Sequence, residues 1–167
     1  MDSHALLAEI PRLRRYARAL TGERAAADDL VQDTLERAWS RSAQWRPGGE
    51  LRAWLFGIMH NLRIDQLRRP GAVARSLDEA DGDLLPVRPA QSDGLEVRDL
   101  DAALACLPEE QRAVLLLVAL EEMRYEDIAR TLGIPLGTVM SRLSRGRERL
   151  RRILDGRPPA VSLRVVR

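Results

Sequence analysis

The sequence predicts an all-α protein made of two small helical domains. Ala, Leu and Arg dominate the composition and aromatic residues make up only 4% of the chain, which favours helix over strand. Apolar residues recur at spacings of three and four along most of the chain, as they do in helices with one buried face. Residues 70–95 lose this period and are rich in Pro, Gly, Asp and Ser, which indicates a flexible acidic linker between the domains.

The composition argues against several classes of function. Cys106 is the only cysteine, so no disulfide can form within the chain. No apolar stretch approaches the ~20 residues of a membrane span and no signal peptide opens the chain, so we expect a cytoplasmic protein. His4 and His60 are isolated, and we find no metal-ligand spacing, nucleophile motif or glycine-rich phosphate loop. We therefore expect no enzymatic activity, no metal and no cofactor.

The distribution of charge is more informative than its sum. The formal net charge is only +2, and all 27 basic residues are arginines. From Arg142 to Arg152, six arginines stand against the single acid Glu148. The arginine fork suits phosphates and guanine edges, although an arginine-only chain can equally reflect the base composition of a genome. The linker, in contrast, holds two arginines and five acids.

The first domain, residues 1–69, is predicted to contain three helices. The first spans Ala5 to Leu20, and Pro11 either starts it or kinks it. The second runs from Arg24 to about Arg41. Its outer face carries an acidic stripe at helical spacing, formed by Asp29, Gln32, Asp33 and Glu36. Such a face is often only solvated, and the alternative is a docking surface for a basic partner helix.

The loop before the third helix, and that helix itself, allow two interpretations each. Trp45 is either a hydrophobic plug on the domain or a stacking wall for an unpaired base. The helix from Glu50 to Arg69 has two apolar faces with arginines between them, so it is either covered by more protein or used as a binding surface. The first face, which we expect to lie in the core, is Leu51, Trp54, Leu55, Ile58, Met59 and Leu62, and the second is Phe56, His60, Ile64 and Leu67.

The second domain, residues 96–155, is predicted to end in a helix-turn-helix. A helix ends at Pro108, and Ala113 to Leu120 is an unbroken apolar run that reads as a buried helix. Tyr125 to Leu132 then forms a short amphipathic helix that Gly133 closes. The helix after it has a basic outer face, which fits a helix that enters a major groove. The alternative is a solvated basic face on an ordinary helical hairpin. Residues 156–167 form a C-terminal tail.

Four segments together resemble the sigma-70 family in its smallest, extracytoplasmic-function (group IV) form. DDLVQDTLERAW (28–39) resembles the core-polymerase-binding helix of that family, and LRAWLFGIMHNLRIDQLRR (51–69) its promoter-melting and −10-reading segment. LPEEQRAVLLLV (107–118) and YEDIARTLGIPLGTVMSRLSRGRERL (125–150) resemble its −35-reading domain. The resemblance implies a region 2-like domain and a region 4-like helix-turn-helix domain.

The resemblance also implies roles and partners. A sigma factor binds core RNA polymerase through the β′ coiled coil and the β flap, reads promoter DNA and captures a base flipped out of the −10 element. The expected polymerase-binding residues are Asp29, Gln32, Asp33 and Glu36. The expected −10 residues are Trp45, Arg46, Arg52, Ile58, Asn61 and Arg63. The expected −35 residues are Thr138, Ser141, Arg142, Arg145 and Arg149. An anti-sigma factor is a further implied partner, which in a membrane-bound form would hold the protein at the inner membrane, and no small-molecule substrate is implied.

Two residues depart from the family pattern, and two other classes of function stay open. Met140 stands where the family often has a basic residue, and Trp45 where Phe is common. A stand-alone regulator would bind an operator as a dimer through residues 97–154, but this leaves the acidic stripe unexplained. A sigma-like decoy would bind an anti-sigma factor and never touch DNA, and it would not need Arg142 or Arg145.

Overall fold

The computed structural model describes residues 2–46, 48–70 and 93–156, and the side chains of the last range from residue 97 onward. This part of the chain is helical, as predicted. It contains α1 (Ser3–Thr21), α2 (Arg24–Ser40), a 3-10 turn (Ser42–Gln44), α3 (Leu51–Arg68), α4 (Asp93–Ala105), α5 (Glu109–Ala119), α6 (Tyr125–Leu132) and α7 (Leu136–Leu154). Most of the predicted linker (70–95) and tail (156–167) lies outside the described residues, so their limits stay predictions.

Local sequence signals set the ends of the helices. The Asp2 carboxylate accepts the backbone N–H of His4 at 3.0 Å and caps α1, as short acidic side chains do at helix starts. α1 continues through Pro11, so Pro11 lies inside the helix and does not start it. Gly22 and Gly133 end α1 and α6 with φ angles of +74° and +66°, a conformation that glycine adopts without strain.

Helices α1, α2 and α3 pack around a core that contains the first apolar face of α3. Leu55 and Met59 are fully buried there, together with Leu13 and Leu30. The buried hydroxyl of Thr34 donates to the carbonyl oxygen of Leu30 at 2.7 Å, so this polar group keeps a hydrogen bond inside the core.

Helix α5 is the buried centre of the C-terminal half, as its apolar run predicts. Val114 and Leu117 have no exposed surface, and they belong to the same core as Ile128 of α6 and Val139 of α7. The run Ala113 to Leu120 is not buried throughout, because Ala119 is exposed and Leu120 follows the end of the helix.

The two halves pack directly on each other, which the sequence did not predict. Arg112 of α5 is 9% exposed and donates to the carbonyl oxygens of Leu20 (2.7 Å), Ala105 (2.9 Å) and Leu107 (2.8 Å). Its guanidinium therefore ties the end of α1 to the turn between α4 and α5. At the other end of α5, buried Glu121 receives a hydrogen bond from Arg15 of α1 at 2.9 Å.

Arg112→Met should lower the free energy of unfolding by about 3 kcal/mol, because three carbonyl oxygens lose their charged donor inside the protein. Urea denaturation followed by circular dichroism measures this change. Arg14→Met, at an exposed position of α1, is the matched control and should change the stability by less than about 0.5 kcal/mol. Equal effects of the two variants would contradict a structural role for Arg112.

Candidate polymerase and nucleic-acid interface

The acidic stripe of α2 lies on the surface, as predicted. Asp29, Gln32, Asp33 and Glu36 are all exposed, and the amide of Gln32 donates to the Glu36 carboxylate at 3.0 Å. One helical turn further on, Trp39 is 57% exposed. The sequence analysis missed Trp39, although its position three residues after Glu36 places it beside the stripe. An acidic surface with an exposed indole suits a basic protein partner.

A hollow of about 600 Å³ lies between α3 and α6. Ile58 and Asn61, two of the predicted −10 residues, line its α3 side together with Trp54. The α6 side contains Asp127, which pairs with Arg124 at 3.0 Å and with Arg130. The hydrogen bond from Arg124, with a second from Arg130, lowers the pKa of the Asp127 carboxyl. Apolar, amide and charged groups therefore meet in one open hollow.

The other predicted −10 residues point elsewhere. Trp45 is half-buried against Trp54, with ring centroids 5.4 Å apart, which fits a hydrophobic plug; its contact with an unpaired base stays a prediction. Arg46 is exposed outside the hollow. Arg52 lies 3.6 Å from Glu9 of α1.

Arg63 of α3, also predicted to meet −10 DNA, is held by the C-terminal half. Its guanidinium lies 2.7 Å from the carboxylate of Glu109 on α5. The sequence analysis assigned Trp54 to the core and did not select Arg41 or Glu50, yet all three line the hollow. Periodicity shows that Trp54 shares a face with core residues, but it does not show that Trp54 lies at the edge of that face.

The second apolar face of α3 is covered by protein in part. Phe56 is 2% exposed and meets the ring of Tyr16 edge-on at 5.0 Å, and burial raises the pKa of the Tyr16 phenol far above its usual range. At Gly57 a Cβ atom would lie 3.1 Å from the carbonyl oxygen of Thr131 in α6. The α6 backbone therefore approaches α3 more closely than a larger residue at position 57 would allow. Protein therefore covers this face at Phe56, whereas Leu67 at its far end is 38% exposed.

Helices α6 and α7 form the predicted helix-turn-helix. Ile128 and Leu132 of α6, and Val139 and Leu143 of α7, are buried. The backbone N–H of Ile134 donates to Ala129 at 3.0 Å and closes the turn.

The predicted −35 residues are not equally accessible on α7. Arg145 is exposed, whereas Thr138, Ser141 and Arg149 are half-buried. The Ser141 hydroxyl donates to the carbonyl oxygen of Thr138 at 3.1 Å. The side chain of Arg142 is 22% exposed and pairs with Glu110 of α5 at 3.1 Å.

Glu109 and Glu110, in the first turn of α5, thus hold one arginine from each predicted DNA-reading helix. Glu109 binds Arg63 of α3, and Glu110 binds Arg142 of α7. We call this packing of α3 on α6, with the ion pair between Arg63 and Glu109, the closed arrangement. In it, two arginines predicted to meet DNA are paired with carboxylates of the protein.

Residues 2–46, 48–70 and 93–156 contain neither a candidate membrane span nor a candidate metal site. No helix there is both long and apolar enough to cross a membrane. In the same residues, no group of three or more His, Cys, Asp or Glu side chains is arranged to hold a metal ion.

A chain with an acidic stripe on one half and a basic helix-turn-helix on the other has the design of a sigma subunit of RNA polymerase. Residues 6–60 match the family model described as the sigma2 domain of PhyR, and residues 98–150 match that of sigma-70 region 4. The chain belongs to the extracytoplasmic-function sigma factors of the sigma-70 family. The fold and family inferred from the sequence are therefore confirmed.

Individual relatives resemble the chain over most of its length. The sigma factor EcfG of Rhodopseudomonas palustris is 41% identical over 153 residues, which cover 89% of this chain and 82% of that protein. SigL of Mycobacterium tuberculosis H37Rv is 38% identical, with 85% and 79% covered.

Solved structures include the Bartonella quintana sigma factor RpoE in complex with the anti-sigma factor NepR. It matches with a TM-score of 0.73 and 36% identity, covering 91% of this chain and 95% of that one. CnrH, solved with the cytosolic domain of CnrY, matches with a TM-score of 0.67 and 26% identity, covering 91% and 86%.

His60 should make the stability of the protein depend on pH. It is half-buried on α3, and burial lowers the pKa of its imidazole; Arg142 lowers it further, while Glu109 and Glu110 oppose the shift. The unfolded chain therefore binds a proton more readily than the folded one, and stability is lost as the pH falls below the ordinary value of 6.5. Urea unfolding at about pH 7.5 and about pH 5.5 measures this loss.

His60→Gln should reduce the loss of stability between the two pH values, since glutamine does not titrate. His4→Gln, at the other histidine of the chain and an exposed position, should leave the loss unchanged. If His60→Gln loses as much stability between the two pH values as the unmodified protein does, the imidazole of His60 is not the titrating group.

Proposed function

We propose that this chain binds core RNA polymerase and directs it to promoters with specific −35 and −10 elements. The observation that carries the proposal is the exposed acidic stripe on α2, in the same chain as a helix-turn-helix with a basic outer face. DNA repels the acidic stripe, whereas it attracts the basic face of the helix-turn-helix. One protein with both surfaces is suited to join a protein partner to DNA.

The acidic stripe is proposed to dock on the coiled coil of the polymerase β′ subunit. Its carboxylates, among them Asp29 and Asp33, are exposed and project from one helix face. Complementary charge of this kind accelerates encounter and sets orientation. The C-terminal half would contact the β flap, as the family resemblance implies.

The α3 wall of the hollow is proposed to hold the base flipped out of the −10 element once the closed arrangement has opened and α6 has moved away. Asn61 offers an amide for hydrogen bonds, and Trp54 and Ile58 offer apolar surface. No chemistry is done on this base. Its capture offsets the unstacking cost of a few kcal/mol and so stabilises melted DNA. Arg46, Arg52 and Arg63 would contact the phosphates nearby.

Helix α7 is proposed to read the −35 element with Arg145, Thr138, Ser141 and Arg149, and with Arg142 once it leaves Glu110. A well-formed bidentate contact between an arginine and a guanine contributes ~1–3 kcal/mol of discrimination.

Reading both elements at once requires the closed arrangement to open. The two elements are about 25 base pairs apart, or roughly 85 Å at 3.4 Å per base pair, whereas α3 and α6 are in contact here. The 22 residues between Pro70 and Asp93 can reach about 75 Å when fully extended. With the width of the two halves added, the covalent connection is long enough.

An anti-sigma factor is proposed as the inhibitory partner. RpoE, which resembles this chain, was solved in complex with the anti-sigma factor NepR, and CnrH was solved in complex with the cytosolic domain of CnrY. A partner that binds the closed arrangement more tightly than the open one would keep the DNA-reading helices together. Titration with such a partner should lower promoter binding, and unchanged binding would exclude this mode of inhibition.

Run-off transcription with purified core polymerase on a pool of genomic promoters tests the proposed function. We expect specific transcripts that require this protein and that fall at least tenfold with Asp29→Arg/Asp33→Arg, because the stripe then repels a basic partner. Asp99→Arg/Asp101→Arg, which makes the same change of charge on α4, should keep most of the activity. Circular dichroism of each variant checks that it folds.

Other results would favour the two alternative functions. Tight duplex binding by the protein alone, without transcripts, would indicate a stand-alone regulator. No activity in either assay would indicate a sigma-like decoy, a class for which PhyR offers a comparison in fold only: the anti-anti-sigma factor PhyR, solved with NepR, matches with a TM-score of 0.60 at 18% identity.

Glu109→Gln/Glu110→Gln should shift the protein from the closed to the open arrangement, since Arg63 loses its carboxylate partner across the two halves. The second substitution releases Arg142 within the C-terminal half. One partly exposed ion pair between the halves shifts such an equilibrium by about two- to fivefold. Fluorescence resonance energy transfer between labels on α2 and α7 should decrease, and the complex with core polymerase should bind promoter DNA more tightly.

Glu122→Gln/Glu126→Gln removes two exposed carboxylates and serves as the control for net charge. A matching gain in promoter affinity with this pair would show that charge alone, and not release of the arginines, explains the effect.

A further inference from the structure

Two large apolar side chains are exposed on the recognition helix α7. Leu136 is 40% exposed and Met140 is 52% exposed. Residues four apart in a helix lie side by side on one face, so the two form one apolar patch on the N-terminal half of α7. The buried face of the same helix contains Val139 and Leu143, which shows that the patch is not part of the core.

The described part of the protein leaves this patch open. Gly137 lies between the two side chains in sequence, and a Cβ atom there would meet no heavy atom within 4 Å. A hollow of about 420 Å³ adjoins the patch. Tyr125, Met140 and Leu143 line its apolar part, and Arg147, Glu148 and Arg151 line its charged edge, where Glu148 pairs with Arg151 at 2.9 Å.

The charge around the patch favours DNA as its occupant. Six arginines lie between Arg142 and Arg152, against one acid, and arginines at this density neutralise phosphates. Residues in the first turns of a recognition helix are those that contact base edges, and Leu136 and Met140 occupy the first two turns of α7.

Only one base offers an apolar group at the floor of the major groove. Thymine carries a methyl group on C5, and apolar side chains contact it in direct readout. The predicted polar readers beside the patch are engaged within the protein, because Ser141 donates to Thr138 and Arg142 pairs with Glu110. The sequence analysis treated Met140 only as the loss of a basic contact.

We propose that Met140, supported by Leu136, selects thymine in the −35 element by packing against its 5-methyl group. Met140 is thus a specificity-determining residue, and it makes an apolar contact with a base where a basic residue would make an electrostatic contact. The inference rests on the proposed function, since it concerns how the −35 element is read. Loss of one buried methyl contact should weaken binding about three- to fivefold.

Deoxyuridine gives a direct test, because it differs from thymidine only by the missing methyl group. A promoter identified by run-off transcription is prepared with each thymine of the −35 element replaced singly by deoxyuridine, on either strand. The affinity of the complex between this protein and core polymerase is then measured for each DNA. We expect a three- to fivefold loss at one position or two adjacent ones with the unmodified protein, and a loss close to zero there with Met140→Ala.

Arg145→Ala is the matched control on the same exposed helix. It should weaken binding to every DNA in the set while keeping the deoxyuridine effect, since it removes charge and leaves the patch intact. Met140→Ala changes an exposed residue, so thermal unfolding should match that of the unmodified protein.

The other outcomes overturn the inference. Promoter-specific transcription with no deoxyuridine effect, or with an equal effect in Met140→Ala, would leave the proposed function in place and remove the methyl contact. A −35 element without thymine would have the same consequence. Absence of any promoter-dependent transcript would remove the proposed function itself, and with it this inference.

Discussion

The first turn of α5 is the point on which the whole arrangement depends. Arg112, at the end of that turn, donates to three carbonyl oxygens from α1 and from the turn between α4 and α5. Glu109 and Glu110 begin the same helix, where the positive end of the helix dipole stabilises carboxylates. Each of them forms an ion pair with an arginine from another helix. The Arg112 guanidinium is removed from water, so its hydrogen bonds must all be present for the two halves to pack.

Much of the fold could be predicted because helix period, capping residues and breakers are local properties of the chain. The acidic stripe and the helix-turn-helix were found in this way. Packing between distant segments is not local. The period of α3 showed that Phe56 and His60 lie on an apolar face, but not that Tyr16 packs on Phe56 or that α6 packs on a neighbouring side of α3. The sequence around Arg63 and Arg142 does not show whether these arginines pair with a carboxylate of the protein or are available to bind a phosphate.

The candidate site shows the same limit at the scale of single residues. Trp45 and Trp54 are both aromatic residues near the −10 segment, and the sequence assigned one to the pocket and the other to the core. Their packing against each other places Trp54 on the hollow and Trp45 behind it. Met140 was noticed because it breaks a family pattern, while its role depends on exposure, which only the packing of α7 on α5 and α6 reveals.

Arg63 and Arg142 cannot pair with Glu109 and Glu110 and contact DNA at the same time. DNA binding would therefore exchange the carboxylate partners of these arginines for phosphate partners. The net change in electrostatic free energy is then smaller than the contribution of either kind of ion pair alone. A ligand controls the balance between the two states through its difference in affinity for them and not through its absolute affinity. The acidic stripe is exposed in the closed arrangement, so the proposed docking on polymerase does not require the DNA-reading helices to separate. The proposed contact of Arg63 with DNA, in contrast, requires this arginine to leave Glu109 across the two halves, which would make DNA the partner that selects the open state.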